Sequence, residues 1–241
     1  MFRACSMPAT FRTGRIAKRS QLLAQDAWPP SKRSGILKPK GTDTFHIALL
    51  ALWVIALVVS ALDAYDPFTW VLEVFPAIIA VAVLAVSYRR FPLTNLIYVL
   101  IFVHSLILMG GGHYTYARVP LGFWMERTFH FTRNHYDRIG HFAQGFVPAL
   151  VAREVFLRKK IVKPGPWLVA IVIFGCLGVS AVYELIEWVT AVTMGSAADA
   201  FLGNQGDPWD IPEAMCIAGL GAICVFLLRP RTHDRSSARL H

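Results

Sequence analysis

The sequence predicts an all-α, polytopic transmembrane helix bundle of about six spans with both termini in the cytoplasm. Three observations carry this. Of 241 residues, 55% are hydrophobic and only 16% charged, with a mean hydropathy of +0.48, which sets the chain apart from ordinary soluble domains. Apolar stretches of spanning length recur along the chain. Basic residues are concentrated on alternate connections, which is the signature of a fixed membrane orientation.

Residues 1–40 carry nine Lys/Arg against one acid, Asp26, and are broken by Pro8, Pro29, Pro30 and Pro39. Without periodicity, such a stretch reads as a disordered basic cytoplasmic tail, with a targeting segment or a mis-chosen start as the alternatives. The membrane domain occupies residues 41–230, and residues 231–241 form a short basic cytoplasmic tail.

Within that domain, apolar segments lie at residues 45–62, 70–88, 93–109, 139–157, 166–189 and 211–228. A hydrocarbon core roughly 30 Å thick takes about 17–25 helical residues, so all six are long enough. The fourth is the least apolar, because it contains His141, Gln144, Arg153 and Glu154.

If the N-terminus is placed inside, the inner segments hold 20 of the 24 Lys/Arg and the outer segments hold 11 of the 15 Asp/Glu. The formal net charge of +9 therefore points to anionic lipid of the inner leaflet as the partner, and not to nucleic acid. Four cysteines make neither a disulfide framework nor a CxxC site, and Cys176, Cys216 and Cys224 fall in apolar runs where a thiol behaves as a small hydrophobe.

The same topology brings polar residues from distant segments to the outer side. In the stretch Arg133 to Phe142, RNHYDRIGHF, Asp137 and His141 are four apart and share a helix face, which Gln144 continues. A carboxylate beside an imidazole orients its tautomer for metal ligation or general-base work. The competing structural reading is that Asn134 or Asp137 caps the fourth helix. Glu184 and Glu187, in SAVYELIEW, lie three apart near the end of the fifth segment, where acids oppose the helix dipole and need compensation. A metal ion, protonation, or a structural pair with Arg133 or Arg138 meets that need.

The loop GNQGDPWDIPEAM supplies Asp207, Asp210 and Glu213. Asp210 and Glu213 have the spacing of a helix cap around Pro212, whereas Asp207 has less structural reason to be acidic. His113 follows the triple glycine Gly110 to Gly112, where it is a candidate ligand or part of an interfacial aromatic belt with Trp124. His104 reads as a hydrogen-bonded core histidine, and His130 as a weaker candidate still.

With RNHYDRIGHF, ALVAREVF, SAVYELIEW and ADAFLGNQGDPWD in one order, the chain resembles the YjdF-like family of bacterial inner-membrane proteins over residues 45–228. The resemblance implies a six-helix, multi-pass protein of the bacterial inner membrane. It brings no catalytic residue, substrate or cofactor with it.

Three functions fit this pattern. The first is a divalent-metal enzyme acting on a lipid or cell-envelope substrate. In it, His113, His135, Asp137 and His141 are candidate ligands for zinc, manganese or iron; Glu184, Glu187 and Asp207 are candidate catalytic acids; and Arg133 and Arg138 are candidates for gripping an anionic substrate. The second is a small-solute or proton-coupled transporter using the intramembrane acids and histidines. The third is a structural or partner-binding membrane protein whose polar cluster holds helix ends together.

Overall fold

The computed structural model describes residues 42–195 and 209–228, so the reading of residues 1–40 and 231–241 as tails lies outside the described residues. Among the described residues there are seven α-helices, one short 3-10 helix and no strands. They are α1 (Thr42–Ala61), α2 (Pro67–Ser87), α3 (Asn95–Tyr114), the 3-10 turn Tyr116–Arg118, α4 (Pro120–Phe129), α5 (Tyr136–Arg158), α6 (Pro166–Met194) and α7 (Asp210–Leu228).

Local chemistry starts several of these helices. Asp66 caps α2 by accepting the Thr69 N–H at 2.9 Å and the Thr69 hydroxyl at 2.6 Å, and the Thr69 hydroxyl above all holds this carboxyl below its ordinary pKa. Pro67, Pro120 and Pro166 occupy first-turn positions of α2, α4 and α6, where a missing N–H costs nothing.

Five helices, α1, α2, α3, α6 and α7, are long and apolar enough to cross a membrane. The fourth sequence segment is α5, whose 23 residues are of spanning length but too polar to qualify by composition. Its charge is turned inward. Glu154, buried in α5, accepts from Arg158 at 2.7 Å and from the Thr94 N–H at 3.1 Å, and Arg158 also donates to the Pro92 carbonyl at 2.6 Å. These bonds hold the α2–α3 and α5–α6 connections at one end of the bundle, with Arg158 stacked over Phe91.

α5 is the centre of the packing, in contact with α3, α6 and α7, while α1 and α2 pack on α3. The larger core cluster joins Ile97 of α3, Leu150 of α5, Val172 of α6 and Val225 of α7. A smaller one joins Trp53, Val74, Ala77 and Met109. Because lipid is as apolar as the core, close approach and not hydrophobic exclusion holds such helices together. α5 and α7 achieve it with glycine: a Cβ on Gly145 would overlap the Ala218 carbonyl, and one on Gly221 would overlap the Phe142 carbonyl.

Two boundaries depart from the sequence expectation. α3 runs through the triple glycine to Tyr114 instead of stopping near residue 109, and α6 continues five residues beyond 189 to Met194. The short helix α4 was not anticipated at all. Its Leu121, Phe123, Trp124 and Phe129 are exposed, as in a helix lying at an apolar–water boundary.

The glycine contact is directly testable. Gly145→Val is expected to lower the melting temperature in detergent, at a cost of about 1–3 kcal/mol from overpacking. Gly178→Val on α6, where nothing lies within 4 Å of an added Cβ, is expected to be silent.

Candidate functional site

Polar residues from α2, α5 and α6 meet near the start of α5. Helix α5 has begun by Asp137, so its carboxylate and His141 lie on one face, with Asp137 Oδ1 3.2 Å from His141 Nε2. Across the α5–α6 interface, Glu184 Oε1 approaches the same nitrogen at 3.6 Å. His141 and Glu184 are both buried. With Nε2–H directed at Asp137, the imidazole carries its lone pair on Nδ1, which makes no hydrogen bond to any described residue.

A residue missed by sequence reasoning completes the group. Glu73 of α2 is 1% exposed, and the Tyr183 hydroxyl of α6 donates to its Oε2 at 2.9 Å. An acid inside the apolar run WVLEVFP is itself the signal that would have found it. Tyr116 fits beside these groups because Gly111 and Gly140 have no side chains; a Cβ on Gly111 would come within 2.5 Å of the Tyr116 ring.

Tyr116, Asp137, His141, Tyr183 and Glu187 line one end of a cavity of about 500 Å³, within the usual range for a small-molecule site. The cavity continues past His104 and Gln144 to Val151, Val155 and Phe156. His104 is therefore a lining residue, and its Nε2 has no hydrogen-bond partner among the described residues.

The expected metal set is not assembled. Of His113, His135, Asp137 and His141, only Asp137 and His141 meet. His113 Nδ1 lies 3.0 Å from the Ser60 carbonyl, tying α3 to α1, and its ring packs on Tyr114. His135 precedes α5 with its ring edge-on to Phe131, and burial, then Arg133 and Arg138, lower its pKa. Among the described residues, no three His, Cys, Asp or Glu side chains are grouped to hold a metal ion.

The two arginines, candidates for gripping an anionic substrate, are paired with acids. Arg133 and Arg138 each reach Asp210 Oδ1 at 2.7 Å, and Arg138 also reaches Glu213 at 2.8 Å and Asp137 at 3.3 Å. They tie the start of α5 to the start of α7, so Asp210 and Glu213 act as ion-pair partners more than as helix caps. The N-cap residue of α5 is His135, and Asn134, one residue earlier, accepts the Tyr136 N–H at 3.0 Å.

The dipole argument for Glu184 also weakens, because α6 runs ten residues beyond it and the dipole acts within the last turn. Burial alone makes its carboxylate demanding. Asp207 lies outside the described residues.

The arginine network carries a stability prediction. Arg138→Ala removes a largely buried cation shared by three acids and is expected to cost about 3–5 kcal/mol. Glu213→Ala, with a side chain 53% exposed, should cost under about 1 kcal/mol, both read from thermal melts in one detergent.

The model of the family described as "Predicted membrane protein (DUF2238)" matches residues 45–235. The chain is 45% identical over 203 residues to the inner membrane protein YjdF of Escherichia coli (strain K12), covering 84% of this chain and 95% of that one. No solved structure matches. The family match runs from within α1 to beyond α7, and with it the chain belongs to the DUF2238 family of membrane proteins.

Proposed function

We propose that this protein is a membrane-embedded acid–base enzyme acting on a lipid or cell-envelope substrate, with His141 as its proton-transfer group. The observation that carries this reading is His141, held by Asp137 at 3.2 Å and faced by Glu184 at 3.6 Å, at the polar end of a cavity between helices. Asp137 fixes the tautomer with the proton on Nε2. Nδ1 then accepts a proton from a substrate hydroxyl, and the nearby carboxylates stabilise the imidazolium that forms. Glu184 and Glu187 supply the second proton-exchanging group, and Asp207 is the remaining acid candidate.

The fold reading that goes with this proposal is six spans, counting α5, with both termini cytoplasmic in a bacterial inner membrane. The inward-turned charges of α5, the separation of basic and acidic ends, and the relative named as an inner membrane protein support it.

A second reading, proton-coupled transport, draws on one observation: Glu73, Asp137, Glu184, Glu187 and His141 sit together inside the bundle, where ionisable groups mark proton and ion paths. Against it, the cavity lining beyond Gln144 is mostly apolar, which makes a poor path for a proton.

Purified protein in nanodiscs of bacterial total lipid extract, followed by mass spectrometry of the lipids, separates the readings. The enzyme is expected to convert one lipid class, and His141→Ala to slow that conversion at least about 100-fold. No conversion by the wild type, together with proton-driven uptake into liposomes abolished by Glu184→Gln, would replace the enzyme with a transporter.

A further inference from the structure

The cavity has a direction. Its α5 wall runs from Asp137 to Phe156, a rise of about 28 Å at 1.5 Å per residue, nearly the depth of a bilayer's hydrocarbon core. Polarity changes once along it. Tyr116, Asp137, His141, Tyr183 and Glu187 occupy one end, while Val147, Val151 and Phe156 of α5 face Leu84 and Ile101 at the other.

It also has an open side. α2 packs on α3, and α6 packs on α5 and α7, but among the described residues α2 and α6 share no extended contact with each other. Val83 of α2 and Val179 of α6 line the cavity and are nevertheless 59% and 53% exposed, so they sit at a mouth facing the bilayer.

The polar end selects by charge. Asp137 and Glu187 line that end, Glu184 and Glu73 are reached through His141 and Tyr183, and Arg133 and Arg138 are engaged by Asp210 and Glu213. The described lining of the cavity contains no Lys or Arg, so a phosphate brought to this end meets carboxylates, whereas a hydroxyl finds acceptors in Asp137 and Glu187.

We propose that the cavity binds one long aliphatic chain drawn sideways from the bilayer between α2 and α6, belonging to an amphiphile with an uncharged, hydroxyl-bearing head that rests at His141. This rests on the enzyme reading for the role of the head, and it names the substrate class. Because a chain leaving lipid gains little hydrophobic free energy, fit along the groove and hydrogen bonds at the head supply the selectivity.

The probe is radiolabelled 1-monooleoylglycerol, titrated onto the purified full chain in detergent, with oleoyl phosphate as the anionic comparison. Saturable binding of monooleoylglycerol is expected, with oleoyl phosphate weaker by at least about tenfold. Val151→Trp, or Ala80→Trp on the opposite wall if the first fails to fold, should fill the groove and weaken binding by about tenfold or more, with its melt confirming the fold. Absent wild-type binding, equal binding of oleoyl phosphate, or unchanged binding by a folded groove variant would each overturn the proposal. The two readings fail separately: binding without lipid conversion removes the enzyme and leaves the chain site, whereas conversion without monooleoylglycerol binding does the reverse.

Discussion

A carboxylate taken out of water has to be paired, hydrogen-bonded or protonated, and the end of the bundle where α5 begins is arranged around meeting that demand. His141 is the hinge of the arrangement. Its Nε2 is 3.2 Å from Asp137, one turn back on α5, and 3.6 Å from Glu184 on α6, so a single imidazole faces acids from two helices. Glu73 on α2 is served separately by the Tyr183 hydroxyl. Three helices are thus joined by polar contacts at the depth where each has an acid to satisfy.

The remaining architecture keeps those groups in register. Arg133 and Arg138 lock the first turn of α5 to the first turn of α7 through Asp210, and the glycine contacts of Gly145 and Gly221 bring the same two helices together further along. At the far end, Glu154 and Arg158 bind the α2–α3 connection to α5. With α5 held to α3, α6 and α7, and α2 held to α3, the space between α2 and α6 is left as the open groove that ends at the acids. The groove follows from the packing order of the helices and needs no special loop.

Much of this was legible in the sequence because it depends on local pattern. Apolar run length located the spanning helices to within a few residues, and the i, i+4 spacing of Asp137 and His141 was enough to put them together. What stayed hidden depends on partners far apart in the chain. Glu73 was visible only as one acid among many, since Tyr183 lies 110 residues away. Arg133 and Arg138 invited an anionic ligand until Asp210, more than 70 residues on, took their charge. His113 lies on the same side as the cluster, but its partner is the Ser60 carbonyl of α1. Topology assigns residues to a membrane face; which of them touch is decided by helix neighbours, and periodicity is silent about neighbours. The helix α4 was hidden for another reason: ten residues with an apolar face are too short to register as a span.

The central claim is that His141 and Glu184 act as one unit across the α5–α6 interface. A double-mutant cycle of His141→Ala and Glu184→Gln, read from thermal stability in detergent, measures that coupling directly. Side chains that share a buried polar contact are expected to show a coupling of at least about 0.5 kcal/mol. Additivity within about 0.3 kcal/mol would mean that the two residues do not interact, and the cluster on which the account rests would be contradicted.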